Sequence, residues 1–259
     1  MPLILKTLTL LVIGSLLAAE TAAGAEIHVL VSGAFTAAYE ELVPQFERAT
    51  GHKVITDHGA SMGGAPDSIP SRLDRGERVD LVILAAEALE ALIQKGQVRP
   101  ASRVDLVRSS IGMAVRAGAP RPDISSVDAL KRTLLQAKSI AYSASASGTY
   151  LSTEMFPRLG IASEMKDKAK RIASEPVGAV VARGEAELGF QQKSELLPIA
   201  GIDYVGPLPS EVQRVTVFSA GVTVNSKEPD AARALIQFFT APSAVPAITK
   251  SGLEPIRSR

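Results

Sequence analysis

The 259-residue sequence predicts an α/β protein of two lobes with a ligand cleft between them. Short apolar runs alternate with helical patterns along most of the chain, which gives βαβ units and a mostly parallel sheet. Two long extended regions, around 104–116 and 212–224, read as paired crossings between the lobes. Four polar, small-residue loops follow predicted strands, where open α/β sheets gather their ligands.

Residues 1–25 come first and read as a secretory signal outside the fold. The opening residues 1–6 end on Lys6, residues 8–19 are apolar apart from Thr9, Gly14 and Ser15, and Ala23-Gly24-Ala25 meets the small-x-small cleavage rule. The apolar stretch falls short of the roughly 20 residues of a comfortable membrane span; an uncleaved amino-terminal anchor is the alternative. The mature chain is expected in a bacterial periplasm, and a chain without cysteine needs no oxidative folding there.

A strand over 27–32 opens the mature chain. Phe35, Tyr39, Leu42, Val43 and Phe46 then share one helical face, with Pro44 as an expected kink and Gly51 as the stop. A second strand covers 53–56. A third covers 79–84, where Asp80 alone interrupts the apolar run, as in a strand buried on both faces. Extended segments at 104–107 and 111–115 follow, then a helix over 127–137 and a strand near 139–142. A helix through Met155, another over 177–183 and a strand at 188–190 come next. The extended run 215–224 leads into an amphipathic helix over 229–240, with Ala232, Leu235, Ile236 and Phe239 on one face. On this reading 26–108 and 218–259 form lobe 1, and 109–217 forms lobe 2.

Composition narrows the function. Lys plus Arg number 28 against 27 Asp plus Glu, a balance that excludes a nucleic-acid backbone as the main partner. Cysteine is absent, which removes disulfides, Cys-based zinc sites, Fe–S clusters and thiol nucleophiles together. Only His28, His52 and His58 are present, so no metal and no cofactor is expected.

The chemistry falls to the loops. They are 32–36, 59–64, 143–149 and 191–194, rich in Ser, Thr, Gly and Gln. Hydroxyls, glycine amides and helix amino-termini are donors suited to an anion; the same residue types also serve as plain caps and turns. Four such loops in one chain favour a single anion-binding cleft. Ser32, Thr36, Ser61, Gly63, Ser147, Gly148, Thr149 and Gln192 are the expected contacts with a small anionic ligand. No phosphate loop, dinucleotide loop or nucleophile elbow occurs. His58, beside the second loop, is either a general base or an exposed turn residue. Arg183 and Lys193 are cations near candidate loops.

Residues 27–38 (IHVLVSGAFTAA), followed by Gln45-Phe46 and Gly51, resemble the start of periplasmic molybdate-binding proteins. The stretch 80–85 is similar to their next buried strand, and Leu188-Gly189-Phe190 and 238–252 extend the likeness over the mature chain. The resemblance implies a type II periplasmic binding protein fold, a monomer that captures a small oxyanion or organic carboxylate for an ABC-type transporter permease. It matches the family's serines to Ala34 (with Ser32 two residues away) and Ser61, its third-loop small residue to a position near Ser147, and its tyrosine to Gln192. A further backbone contact falls near Pro176 or Val177. A periplasmic aconitate isomerase is also similar to this family, so an alternative activity is proton transfer between trans- and cis-aconitate, with His58 as its base.

Overall fold

The computed structural model describes residues 24–173 and 175–256, so the expected signal lies outside the described residues except for Gly24 and Ala25. β1 (Glu26–Val31) feeds α1 (Gly33–Thr50), which Ser32 precedes in extended conformation and Gly51 stops at a φ of 73°. That left-handed turn is open to glycine without a Cβ penalty. The helix continues through Pro44, and its buried face carries Phe35, Tyr39, Leu42 and Phe46. Next come β2 (Lys53–His58), α2 (Ile69–Asp74), β3 (Leu81–Ala85) and α3 (Ala86–Gln94). β4 (Val104–Ser109) and β5 (Ile111–Arg116) are separated by Ser110 alone.

The second half begins with α4 (Val127–Gln136), β6 (Ile140–Ser143) and α5 (Ala146–Tyr150). α5 runs through a wide π-type turn, Leu151–Met155, into α6 (Phe156–Arg158). Ser152 and Thr153 donate their hydroxyls to the carbonyls of Gly148 and Thr149 there, competing with the backbone ladder. After these follow α7 (Ala162–Met165), β7 (Ala169–Ile172), α8 (Val177–Ala182), β8 (Leu188–Gln192), α9 (Lys193–Leu196) and β9 (Ile202–Pro207). β10 (Thr216–Val222), α10 (Pro229–Thr240), α11 (Val245–Lys250) and β11 (Glu254–Pro255) complete the chain.

Two sheets result, ordered β11-β4-β10-β3-β1-β2 and β7-β6-β8-β5-β9. The expectation of a mostly parallel sheet is corrected: both are mixed. β1 runs parallel to β2 and β3, and β6 to β7 and β8, as strands joined by helical crossovers do. β10 and β5 lie antiparallel to their neighbours. They are the crossing strands, and each enters its sheet from the opposite lobe, against the βαβ direction.

The crossings are tied side by side. Gln213 Oε1 accepts from the Ile111 amide at 2.8 Å, and its Nε2 donates to the Ile111 carbonyl at 2.9 Å. Helices cover both faces of each sheet, and each sheet is the middle of its own apolar core. In the first core Phe35 meets Phe239 edge to face at 5.3 Å. Asp80, the polar break in the third run, sits just before β3. It accepts from the backbone amides of His28, Lys227 and Glu228 and from the Ser226 hydroxyl. Burial opposes its charge, yet these donors hold its carboxyl below the usual range. No helix among the described residues is long and apolar enough to cross a membrane.

Candidate functional site

Three of the four polar loops fold as helix openings at the carboxyl ends of strands: α1 opens after β1, α5 after β6 and α9 after β8. The second, 59–64, stays irregular after β2, which delivers His58 as its last residue, and α2 opens only at Ile69. α8 opens after β7 as a further strand-to-helix turn. The fourth polar segment is mostly not a loop: Gln191 and Gln192 end β8, and Lys193 and Ser194 begin α9.

Three spaces lie where the lobes face each other. The largest, about 480 Å³, is lined by Gly33, Thr36 and His58 on one side and by Ser143, Ser145 and Glu195 on the other. A narrow one of about 10 Å³ holds Ser32, Ser147 and Gln192, and shares Gly33, Ser145 and Glu195 with the first. A third of about 290 Å³ includes Thr149, Tyr150, Glu154 and Arg214.

The expected contacts therefore divide. Thr36 and His58 meet in the large cavity, Oγ1 to Nδ1 at 3.4 Å. Ser32 is buried with its Oγ unpartnered, as is Gln192 Oε1, while Gln192 Nε2 donates to Thr216 Oγ1. Ser147 is 1% exposed and shares a hydrogen bond of 2.9 Å with Ser143. Ser61 lines none of the three spaces; its Oγ accepts from the Ala85 amide, and its own amide donates across the cleft to Ser145 Oγ at 3.2 Å. Gly63, at φ 94°, lets the Arg171 guanidinium and the Ala144 carbonyl approach from the other lobe. Gly148 packs directly on the Ser143 carbonyl, where a Cβ would collide. Thr149 lies in the third space, apart from the rest. Arg183 is engaged by Glu175 and Glu185, and Lys193 packs against Gly252, so neither faces the cavity.

Sequence reasoning missed Glu195, one residue beyond the last loop it singled out. A Cβ at Gly33 would run into Glu195 Oε1, so only glycine there admits the carboxyl to the cleft. Gln191 Nε2 donates to the same oxygen at 2.8 Å. Burial pushes the Glu195 pKa up to about 7, against the opposing pull of Gln191 and of the backbone at Gln192. Such a group is present in both protonation states near neutrality, which is what proton transfer needs. Among the described residues no Lys or Arg lines the large cavity; Arg171 stands at its edge, donating to the carbonyl of the lining residue Ala144 at 3.2 Å. Among the described residues no group of three His, Asp or Glu gathers as a metal site.

The model of a family described as bacterial extracellular solute-binding protein matches residues 27–254. An aconitate isomerase from a Pseudomonas species is 48% identical over 251 residues, covering 95% of this chain and 96% of that protein. The molybdate-binding protein ModA of Azotobacter vinelandii is 28% identical over 249 residues, covering 93% and 94%. Among solved structures, the A. vinelandii periplasmic molybdate-binding protein superposes at a TM-score of 0.70 with 22% identity, over 90% of this chain and all of that one. The sulfate-binding protein SubI from Mycobacterium tuberculosis H37Rv gives 0.71 with 20% identity, over 90% and 87%.

Proposed function

Because the chain belongs to the bacterial extracellular solute-binding protein family, we propose that it closes on a small polycarboxylate and shifts its double bond, as an aconitate isomerase. Glu195 carries this reading. A transport receptor needs donors to a ligand that leaves unchanged, and a half-protonated buried carboxyl is a poor donor to an anion. An allylic isomerase needs such a group. The carboxylate takes a proton from the ligand's methylene carbon, the electron pair moves the double bond by one position, and the former vinylic carbon receives a proton. Glu195 serves both ends if it returns the same proton, and His58 supplies the second group if it does not. The similarity to a protein named aconitate isomerase supports the same conclusion.

The ligand's carboxylates are assigned to the α1 opening, to Thr36 and Ser145, and to Arg171 at the cavity edge. The volume of the large cavity supports an organic acid rather than a single oxyanion. The moving bodies are 26–108 with 218–259 against 109–217, a division supported by the membership of the two sheets apart from Ser109, Thr216 and Val217, which belong to the first sheet. A periplasmic setting is supported by the family's extracellular description.

A second reading keeps the protein a receptor that hands an oxyanion to an ABC-type transporter. The unpartnered Ser32 hydroxyl beside Ser147, in the narrow space, favours it. Chromatographic analysis of trans-aconitate incubated with purified protein decides between them. Formation of the cis isomer without added metal supports the isomerase. No conversion at high protein concentration, with a melting temperature raised by molybdate and not by carboxylates, leaves the receptor.

A further inference from the structure

The geometry points to Gln191 as a positioning residue that pins Glu195 Oε1 and leaves Oε2 as the oxygen that trades a proton with a bound ligand. Gln191 is buried, and both ends of its amide are engaged. Its Oε1 accepts from the Val177 amide at 3.0 Å, the first residue of α8. A backbone N–H only donates, so that contact fixes the flip of the side-chain amide. Nε2 then faces Glu195 Oε1 at 2.8 Å and also only donates, so Oε1 must remain an acceptor in both protonation states. A neutral Glu195 therefore carries its proton on Oε2. Gly33 closes the other side of Oε1. The carboxyl is thus held in one orientation by β8, α8 and α1 together, and the opening of α8 is coupled to the proton-bearing oxygen through a single side chain.

The effect on turnover rests on the isomerase reading; the effect on Glu195 does not. The titratable groups sharing the cavity with Glu195 are His58 of β2, Glu40 of α1, and Asp67 and Glu175 before α2 and α8. Lys193, on its own helix, packs against Gly252. The test is a carbon-13 NMR titration of the Glu195 carboxyl in protein labelled at glutamate, assigned by the signal lost in Glu195→Gln, with kcat and KM for trans-aconitate alongside. Gln191→Met removes the donor at similar length and should raise the Glu195 pKa by at least one unit. It should lower kcat about tenfold and leave KM within twofold. Gln191→Glu keeps an acceptor for Val177 but sets a second carboxyl against Oε1, and should raise the pKa further. An unmoved Glu195 titration in either folded variant overturns the proposal. A wild type that titrates as expected yet converts no aconitate overturns the isomerase reading alone, and the NMR comparison still decides the role of Gln191.

Discussion

Under the proposed activity, Glu195 makes function and stability pull in opposite directions. Its folded pKa, about 7, exceeds the ordinary 4.5. Its contribution to stability is thus full below pH 4.5 and is lost as pH rises to about 7, on the order of 3 kcal/mol in total. On the isomerase reading, Glu195→Gln should lower kcat by about 100- to 10,000-fold; on any reading it should raise the melting temperature at pH 8 more than at pH 4. Scans at the two pH values test the sign. Asp80 shows the reverse dependence. Its folded pKa is depressed, so its contribution is present above the ordinary 3.8 and disappears as pH falls through the folded value. Asp80→Ala should cost about 2–3 kcal/mol in urea unfolding at pH 7 and less at pH 3. Both residues show what a sequence hides. Asp80 was visible as a polar break in an apolar run, but its four donors come from residues as far as Glu228. The places of Ser32, Thr36 and His58 beside the cleft were legible because strand ends are local features. Glu195 was not, because its meaning depends on Gly33, 162 positions away, and on burial.

Elements with strong periodicity were legible: α1, α4 and α10 appear where their apolar faces predict. β7 and β9 were missed, being short or only half-buried, with no continuous apolar run to mark them. β2 extends two residues past the expected Thr56, and that extension brings His58 to the cavity instead of a turn. α5 was read as a loop of possible anion donors, yet it packs so closely on β6 that Gly148 has no room for a side chain. Gly148→Ala should cost about 1–3 kcal/mol by overpacking, measured by urea unfolding, and should weaken ligand binding only through displacement of Ser147. A loss of affinity without a loss of stability would return Gly148 to the ligand.

Polar ties join the lobes, and Arg214 makes several of them. It reaches Glu87 on α3 at 3.1 Å and Glu154 in the second lobe at 2.7 Å, with its guanidinium 5.0 Å from the Tyr150 ring centre. Half-exposed pairs of this kind are worth at most about 1 kcal/mol, too little to matter for unfolding but enough to shift an open–closed balance about fivefold. Arg214→Ala should leave urea stability within about 0.5 kcal/mol and enlarge the ligand-free radius of gyration in small-angle scattering, with added salt mimicking the change in the wild type. The place of β10 reaches beyond equilibrium. It lies between β3 and β4 in the first sheet although more than 100 residues separate it from either. Until residues 216–222 arrive, the first lobe has two unpaired strand edges where its centre should be, whereas the strands of the second lobe are contiguous in sequence. A chain threaded through a membrane from its amino terminus would complete its second lobe first and keep its first lobe open until the end, so the late strand acts as the closing stitch of folding.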